Sequence, residues 1–233
     1  MSTVSRRTLA LIPALLFLAA TLAVPCRAEG NRDFLWNVVS NCLDSGLPGY
    51  DKICSTPITT SAAACRKTVE LWDKTPEFVF FRDIKMCDCL SDKTFVHGII
   101  LPRSRVTGSE DPNRPAGIWR YAWDNAVKRV GDEADIALVV NPPGTGRSQD
   151  QLHVHVVRLN EAGRELIASS RATGVGNPDE IWKMADQLAG EKGLAYYGVL
   201  VARNPAGGFM LFVNDRNLEY DYTVAKCKDR TLP

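Results

Sequence analysis

The chain has almost no net charge, with 28 Lys and Arg against 27 Asp and Glu for a formal +1. A nucleic-acid surface usually brings a strong basic excess, so that class is disfavoured and any anion must be held locally. Histidine is scarce, at three residues in 233. The seven cysteines include no Cys-x-x-Cys pair, the spacing that most often announces a zinc site. There is no internal repeat, no low-complexity tract, and no apolar run that quite reaches the ~20 residues needed to span a bilayer comfortably. What is present in quantity is apolar side chain, 45% of the total, enough for one domain to bury a core of its own.

Residues 1–28 read as a signal peptide or N-terminal membrane anchor. Arg6 and Arg7 form a positive start, 9–24 is apolar apart from Thr21 and the Pro13 break, and Cys26-Arg27-Ala28 offers a cleavage site. Ser5-Arg6-Arg7-Thr8-Leu9 also resembles a twin-arginine signal, and Cys26 a lipoprotein site, although Pro25 precedes it. The expected location is outside the cytoplasm, periplasmic or on the inner membrane facing the periplasm. Cleavage would leave six cysteines, Cys42, Cys54, Cys65, Cys87, Cys89 and Cys227. In an oxidising compartment an even number reads as a disulfide framework, with zinc the competing reading. Cys87 and Cys89 stand too close together to favour each other over distant partners.

Two further units follow, a Cys-rich N-terminal segment over 29–75 and a catalytic domain over 76–233. In the first, short helices are expected near 34–39 and 67–72. In the second, strands are expected at 78–81, 94–101, 135–140, 152–159, 195–202 and 209–213. A helix over 118–130 stops at Gly131, and another opens at Asn177-Pro178 and closes at Gly190. The pattern is α+β with a mainly antiparallel sheet.

Two of the three histidines share Leu152-His153-Val154-His155-Val156-Val157. Alternate residues of a strand share a face, so both imidazoles point the same way, roughly 7 Å apart along the backbone. The preceding loop, Asn141-Pro142-Pro143-Gly144-Thr145-Gly146-Arg147-Ser148-Gln149, is rich in glycine. Gly144 and Gly146 let backbone N–H groups converge on an anion, and Arg147 adds a planar charge suited to phosphate. A phosphate in that loop, beside two imidazoles, suits phosphoryl or nucleotidyl transfer. A His-x-His zinc site with His97 as third ligand is the rival reading.

Gly146-Arg147-Ser148 followed by His153-Val154-His155 resembles the histidine-triad motif of nucleotide hydrolases and transferases. With the stretch from Leu101-Pro102-Arg103-Ser104-Arg105 to Asp111-Pro112, the strand ending in Arg82-Asp83-Ile84, and the late Arg216-Asn217-Leu218, it more closely resembles the CDP-diacylglycerol pyrophosphatase family. That resemblance implies a histidine-triad-like α+β fold and hydrolysis of CDP-diacylglycerol to CMP and phosphatidate through a nucleotidyl–histidine. It implies His153 as nucleophile and His155 as a contact to the reacting phosphate. Gln151 stands where the motif has its first histidine, and it can hydrogen-bond but not shuttle a proton. Asn141, Gly144, Gly146, Arg147 and Ser148 would bind phosphate, Arg103 and Arg105 phosphate or lipid headgroup, and Asp83 loosely matches a ribose-binding position. The scheme requires no metal and no cofactor. The expected partners are the lipid nucleotide and a membrane surface, with a homodimer possible and no nucleic acid. A histidine-triad-like protein that binds nucleotides or headgroups without turnover is the alternative.

Overall fold

The structure, a computed structural model, describes residues 32–43, 70–89, 92, 94–144, 146–169 and 173–227. Its centre is an eight-stranded, wholly antiparallel sheet. In chain order the strands are β1 (Leu71–Lys74), β2 (Phe78–Arg82), β3 (His97–Pro102), β4 (Ile136–Val140), β5 (Val154–Arg158), β6 (Thr173–Val175), β7 (Gly198–Arg203) and β8 (Phe209–Asn214). Across the sheet they run β1-β2-β3-β5-β4-β7-β8-β6. The helices are α1 (Phe34–Asn41), α2 (Ile118–Val130), α3 (Glu161–Ser169), α4 (Ile181–Glu191) and α5 (Leu218–Tyr222).

The alternation of side chains along each strand divides the protein into two unequal layers. Phe78 and Phe80 of β2, Ile100 of β3, Leu138 of β4 and Val154 and Val156 of β5 point to one face. There they meet Trp119, Trp123 and Ala126 of α2, and Ile181 and Ala185 of α4. On the opposite face the apolar packing breaks in two. Val79, Phe81 and Leu101 pack under α1 through Val38 and Val39. Ala137, Val139, Val157 and Leu200 pack under Leu218 of α5 and Ile167 of α3. Between these clusters, on the same face, lie His97 and His155. Covering on both sides explains why β4 reads Ile-Ala-Leu-Val-Val with every residue buried.

Most of the expected elements stand, and several limits move. The 67–72 segment is not a helix where described: Leu71 and Trp72 begin β1, whose Trp72 ring packs edge-on against Phe80 at 4.9 Å. The sheet thus starts before residue 76. Strand β5 begins at Val154, so His153 sits in the turn just ahead of it. Helix α4 runs past Gly190, and the chain reverses at Gly193 with φ of +65°. Helix α3 and strand β6 had no expectation attached.

A disulfide joins Cys89 to Cys227, 138 residues apart, so Cys89 does take a distant partner. Cys42 is also disulfide-bonded. Cys26, Cys54 and Cys65 and the Cys87 side chain lie outside the described residues, as does the proposed signal segment. The Cys89–Cys227 link ties the 3₁₀ turn Ile84–Asp88 to the tail that follows α5. Replacing both cysteines by alanine is expected to cost about 2–4 kcal/mol of stability, as is usual for a bridge closing a long loop. Urea denaturation of oxidised wild type and double variant measures the difference.

Candidate active site

Five elements deliver the polar groups at the break in the second layer. His97 opens β3 and His155 lies in β5, two strands that are neighbours with Ile99 opposite His155. The diagonal brings the two rings to 5.3 Å between centroids. His153, in the turn before β5, stands 4.8 Å from His155. Asn141 follows β4, Asp83 follows β2, and Glu219 comes from α5. Asp83, His97, Asn141, His153, His155 and Glu219 are all buried.

The turn carrying His153 is held by backbone bonds and by Gln151. Leu152 N–H donates to the Val106 carbonyl at 2.6 Å. The Gln151 amide donates to the carbonyls of Pro102 (3.1 Å) and Ser104 (2.9 Å), and its oxygen accepts from Val106 N–H at 3.4 Å. The Gln151 side chain therefore braces the 102–106 connection, and its contribution to the histidines comes through the main chain. Its carbonyl lies 2.7 Å from His153 Nδ1. A carbonyl can only accept, so Nδ1 carries the proton and, in the neutral ring, Nε2 keeps its lone pair. Nε2 is neither hydrogen-bonded nor sealed from solvent among the described residues. Burial holds the His153 pKa below the ordinary histidine value, despite the Gln151 bond that pulls the other way.

Glu219 organises the rest. Its Oε1 takes Lys85 Nζ at 2.8 Å and His97 Nε2 at 2.9 Å. Its Oε2 takes Asn141 Nδ2 at 2.7 Å and lies 3.3 Å from His155 Nε2. On the other side of His97, Nδ1 is 2.8 Å from Asp83 Oδ2, while Asp83 Oδ1 caps the following 3₁₀ turn through Lys85 N–H. His97 is thus clamped between two carboxylates. Burial would lower its pKa, but the bonds to Asp83 and Glu219 outweigh that and raise it. Burial would raise Asp83, yet the His97 bond and charge keep it below the usual carboxylate value. Glu219 is likewise held ionised against its burial by the bond and charge of His97 and the charge of Lys85. His155 goes the other way, pushed down to about 3 by burial, and stays neutral.

Ligand atoms of Asp83, His97 and His155 lie within 4.8 Å of one another, and these three could hold a metal ion. The ammonium of Lys85, 3.3 Å from His97 Nε2, already supplies positive charge at this cluster.

The loop residues divide. Gly144 has φ of +89°, a conformation that favours glycine. A Cβ on Gly146 would stand 2.8 Å from Asn217 Nδ2 and 3.3 Å from Asn141 Cβ, so this position must be bare to pass beside the site. Arg147 is not free to address a ligand with its whole fork: Nη1 is 2.8 Å from both Glu110 oxygens, and Nη2 is 3.4 Å from Asp150. Arg105 is engaged by Asp33 at 2.5 Å and lies over the Trp36 ring, and Arg103 reaches the Thr75 carbonyl at 3.5 Å. Asp83 meets His97 rather than an open surface. No contact of the Ser148 side chain bears on the site among those described.

Sequence reasoning missed Glu219 and Lys85. In Leu-Glu-Tyr-Asp-Tyr the glutamate reads as one more solvated carboxylate, and nothing local distinguishes it. The neighbouring Arg216-Asn217-Leu218 flagged the segment but not the residue.

Two hollows border the site. An apolar slot of about 180 Å³ lies between α1 and β2, lined by Phe34, Leu35, Phe81, Asp83, Ile84 and Ile99 among others. A cavity of about 240 Å³ lies on the Glu219 side, with Lys85, Gly146, Asn217, Glu219, Lys226 and the Cys89–Cys227 bridge in its wall.

A turn-borne imidazole with one nitrogen bonded to the chain and the other open, backed by a second imidazole and an acid-clamped third, is an arrangement chemically able to attack phosphorus. The family is then specific: residues 30–197 match the CDP-diacylglycerol pyrophosphatase family model, well over half of the 233-residue chain, and the chain belongs to that family. A curated CDP-diacylglycerol pyrophosphatase from Yersinia pestis is 25% identical over 156 residues, covering 52% of this chain and 60% of the relative. The chain thus spans less than two thirds of that relative's length. Glu219 lies beyond the matched residues.

The acid clamp on His97 makes a titration testable. His97 is expected to titrate above 6.5 in side-chain NMR, and Glu219→Gln should bring its pKa down. The stability drawn from His97 is full below 6.5 and lost as pH rises through the raised value. That drawn from Asp83 and Glu219 is present above the ordinary carboxylate range and lost as pH falls through their lowered values. A His97 titration unchanged by Glu219→Gln would contradict the clamp.

Proposed function

We propose that this protein hydrolyses CDP-diacylglycerol to CMP and phosphatidate through a nucleotidyl intermediate on His153, on a histidine-triad-like fold. The observation that carries the reading is the 2.7 Å bond from His153 Nδ1 to the Gln151 carbonyl, which fixes the proton on Nδ1 and presents an Nε2 lone pair. Family membership and the name of the Yersinia pestis relative support the substrate.

In the first step His153 Nε2 attacks the cytidylyl phosphorus. The N–P bond forms, the bridging P–O bond breaks, and phosphatidate leaves with the bonding pair. A phosphomonoester has a second pKa of about 6, so it departs at neutral pH without a proton donor. The chemistry therefore tolerates Gln151 in place of a first histidine. In the second step water attacks the same phosphorus, the N–P bond breaks with its pair returning to Nε2, and CMP forms as the proton of the attacking water passes to solvent. In this scheme Asn141, His155 and the Gly146 backbone would meet the charge that builds on the phosphoryl oxygens, where preorganised donors contribute most. Arg147 acts mainly by tying the loop to Glu110, and adds its charge from behind. The apolar slot beside Asp83 offers a wall for the nucleoside. A lipid substrate would bring the protein to a membrane surface, and the export signal read in residues 1–28 would put that surface outside the cytoplasm. Among the described residues no helix is long and apolar enough to cross a bilayer.

His153→Ala is expected to lower hydrolysis of CDP-diacylglycerol by on the order of 10³-fold or more, as loss of a nucleophile does, while substrate binding survives. His155→Ala should retain a measurable rate. Binding without turnover in the wild type would favour a non-catalytic role, and inactivation by a chelator would favour the metal reading. Because His153 must be neutral and its pKa is lowered, the acid limb of kcat/KM should lie below 6.5. An acid limb above that value would contradict attack by this ring.

A further inference from the structure

We propose that the 240 Å³ cavity beside Glu219 is the leaving-group subsite, built to take a phosphomonoester carrying a glycerol headgroup. This deepens the function proposed above and rests on it for the order of events, but not for the binding itself. The cavity adjoins the histidines through two of its walls. One is Glu219, whose Oε2 is 3.3 Å from His155 Nε2. The other is Gly146, which lines the cavity together with Asn217 and packs closely against Asn141, a Cβ there standing 3.3 Å from Asn141 Cβ.

Its polar lining is mostly donor. Lys85 is held on one side by Glu219, yet 47% of its side chain is exposed. Lys226 is exposed on the rim and makes no hydrogen bond or ion pair among the described residues. Asn217 spends its side-chain oxygen on the Tyr220 N–H that starts α5 at 3.0 Å, leaving its amide N–H groups without a partner there. The one carboxylate in the wall, Glu219, is already matched by Lys85 and His97. Two ammonium groups and an amide facing one hollow suit a dianionic phosphate and give little to a neutral group. Phe95, Tyr220, Ala225 and the Cys89–Cys227 bridge supply the apolar remainder, which fits a glycerol ester entering from the open side. As the bridging P–O bond breaks, negative charge grows on this phosphate, so the cations stabilise the departing group more than the bound substrate.

The probes are sn-glycerol 3-phosphate and inorganic phosphate, titrated separately into the oxidised full-length protein and followed by amide NMR. The amides of Gly146, Asn217 and Lys226 are expected to shift saturably with glycerol 3-phosphate and to respond to it at lower concentration than to inorganic phosphate. Lys226→Glu should weaken the binding by about tenfold or more, since it reverses a charge facing a dianion. Ala225→Phe, which fills the cavity without touching charge, should weaken it as well. In turnover, Lys226→Glu should reduce kcat/KM for CDP-diacylglycerol more than for CMP p-nitrophenyl ester, whose leaving group has no phosphate. No saturable shift in the wild type, binding unaffected by both variants, or a response to inorganic phosphate alone would overturn the subsite. Glycerol 3-phosphate binding that obeys these variants in a protein with no turnover would support the subsite and fault the proposed function instead.

Discussion

The orientation of His153 depends on a single hydrogen bond, from its Nδ1–H to the carbonyl of Gln151, two residues back in the same turn. An imidazole free to choose its tautomer, or protonated on both nitrogens, is a poor nucleophile. Here the backbone makes the choice. That carbonyl is aimed only because the turn before β5 is anchored. Leu152 N–H holds Val106, and the Gln151 amide holds two carbonyls of the 102–106 connection. The same region is fastened to the N-terminal helix, since Asp150 receives Arg32 at 2.7 Å and Gln149 caps Leu35 N–H at 3.1 Å. The side chain that looks like a defect in the histidine pattern therefore braces the turn, and its main chain is what meets His153.

Burying two carboxylates, an imidazole and part of a lysine costs desolvation that only close pairing offsets. The cluster meets that demand by mutual satisfaction. His97 lies between Asp83 and Glu219, and Glu219 is shared by Lys85, His97, Asn141 and His155. Its arrangement draws on β2, β3, β4, β5 and α5, so it also fixes how the short last helix sits on the sheet. The Cys89–Cys227 bridge reinforces that closure, joining the segment after Lys85 to the segment after Glu219. His153 stands beside this mutually satisfied charged cluster through His155, 4.8 Å away between ring centroids.

The sequence carries the fold class and the histidine pair plainly. Runs such as 78–81 and 136–140 admit little except buried strand, and a 118–130 helix ending in glycine is a strong local signal. The 67–72 helix failed because Leu-Trp at a sheet edge is decided by a partner strand, not by local spacing. Strand β5 started late because the Gln151 and Leu152 bonds to the 102–106 connection, which are long-range, set where pairing begins. At the site, His153, His155 and Asn141 were legible through spacing and loop composition. Arg147 was legible as a charge but not as one already matched by Glu110. Glu219 and Lys85 were invisible, since their roles come from packing across more than a hundred residues of chain.

The most direct measurement is to quench the reaction with CDP-diacylglycerol during the first turnover, map any covalent adduct by mass, and determine the stereochemistry at phosphorus. The account predicts one cytidylyl group on the peptide containing His153 and overall retention of configuration, the outcome of two successive in-line displacements. An adduct on another residue, or inversion at phosphorus without an adduct, would contradict it.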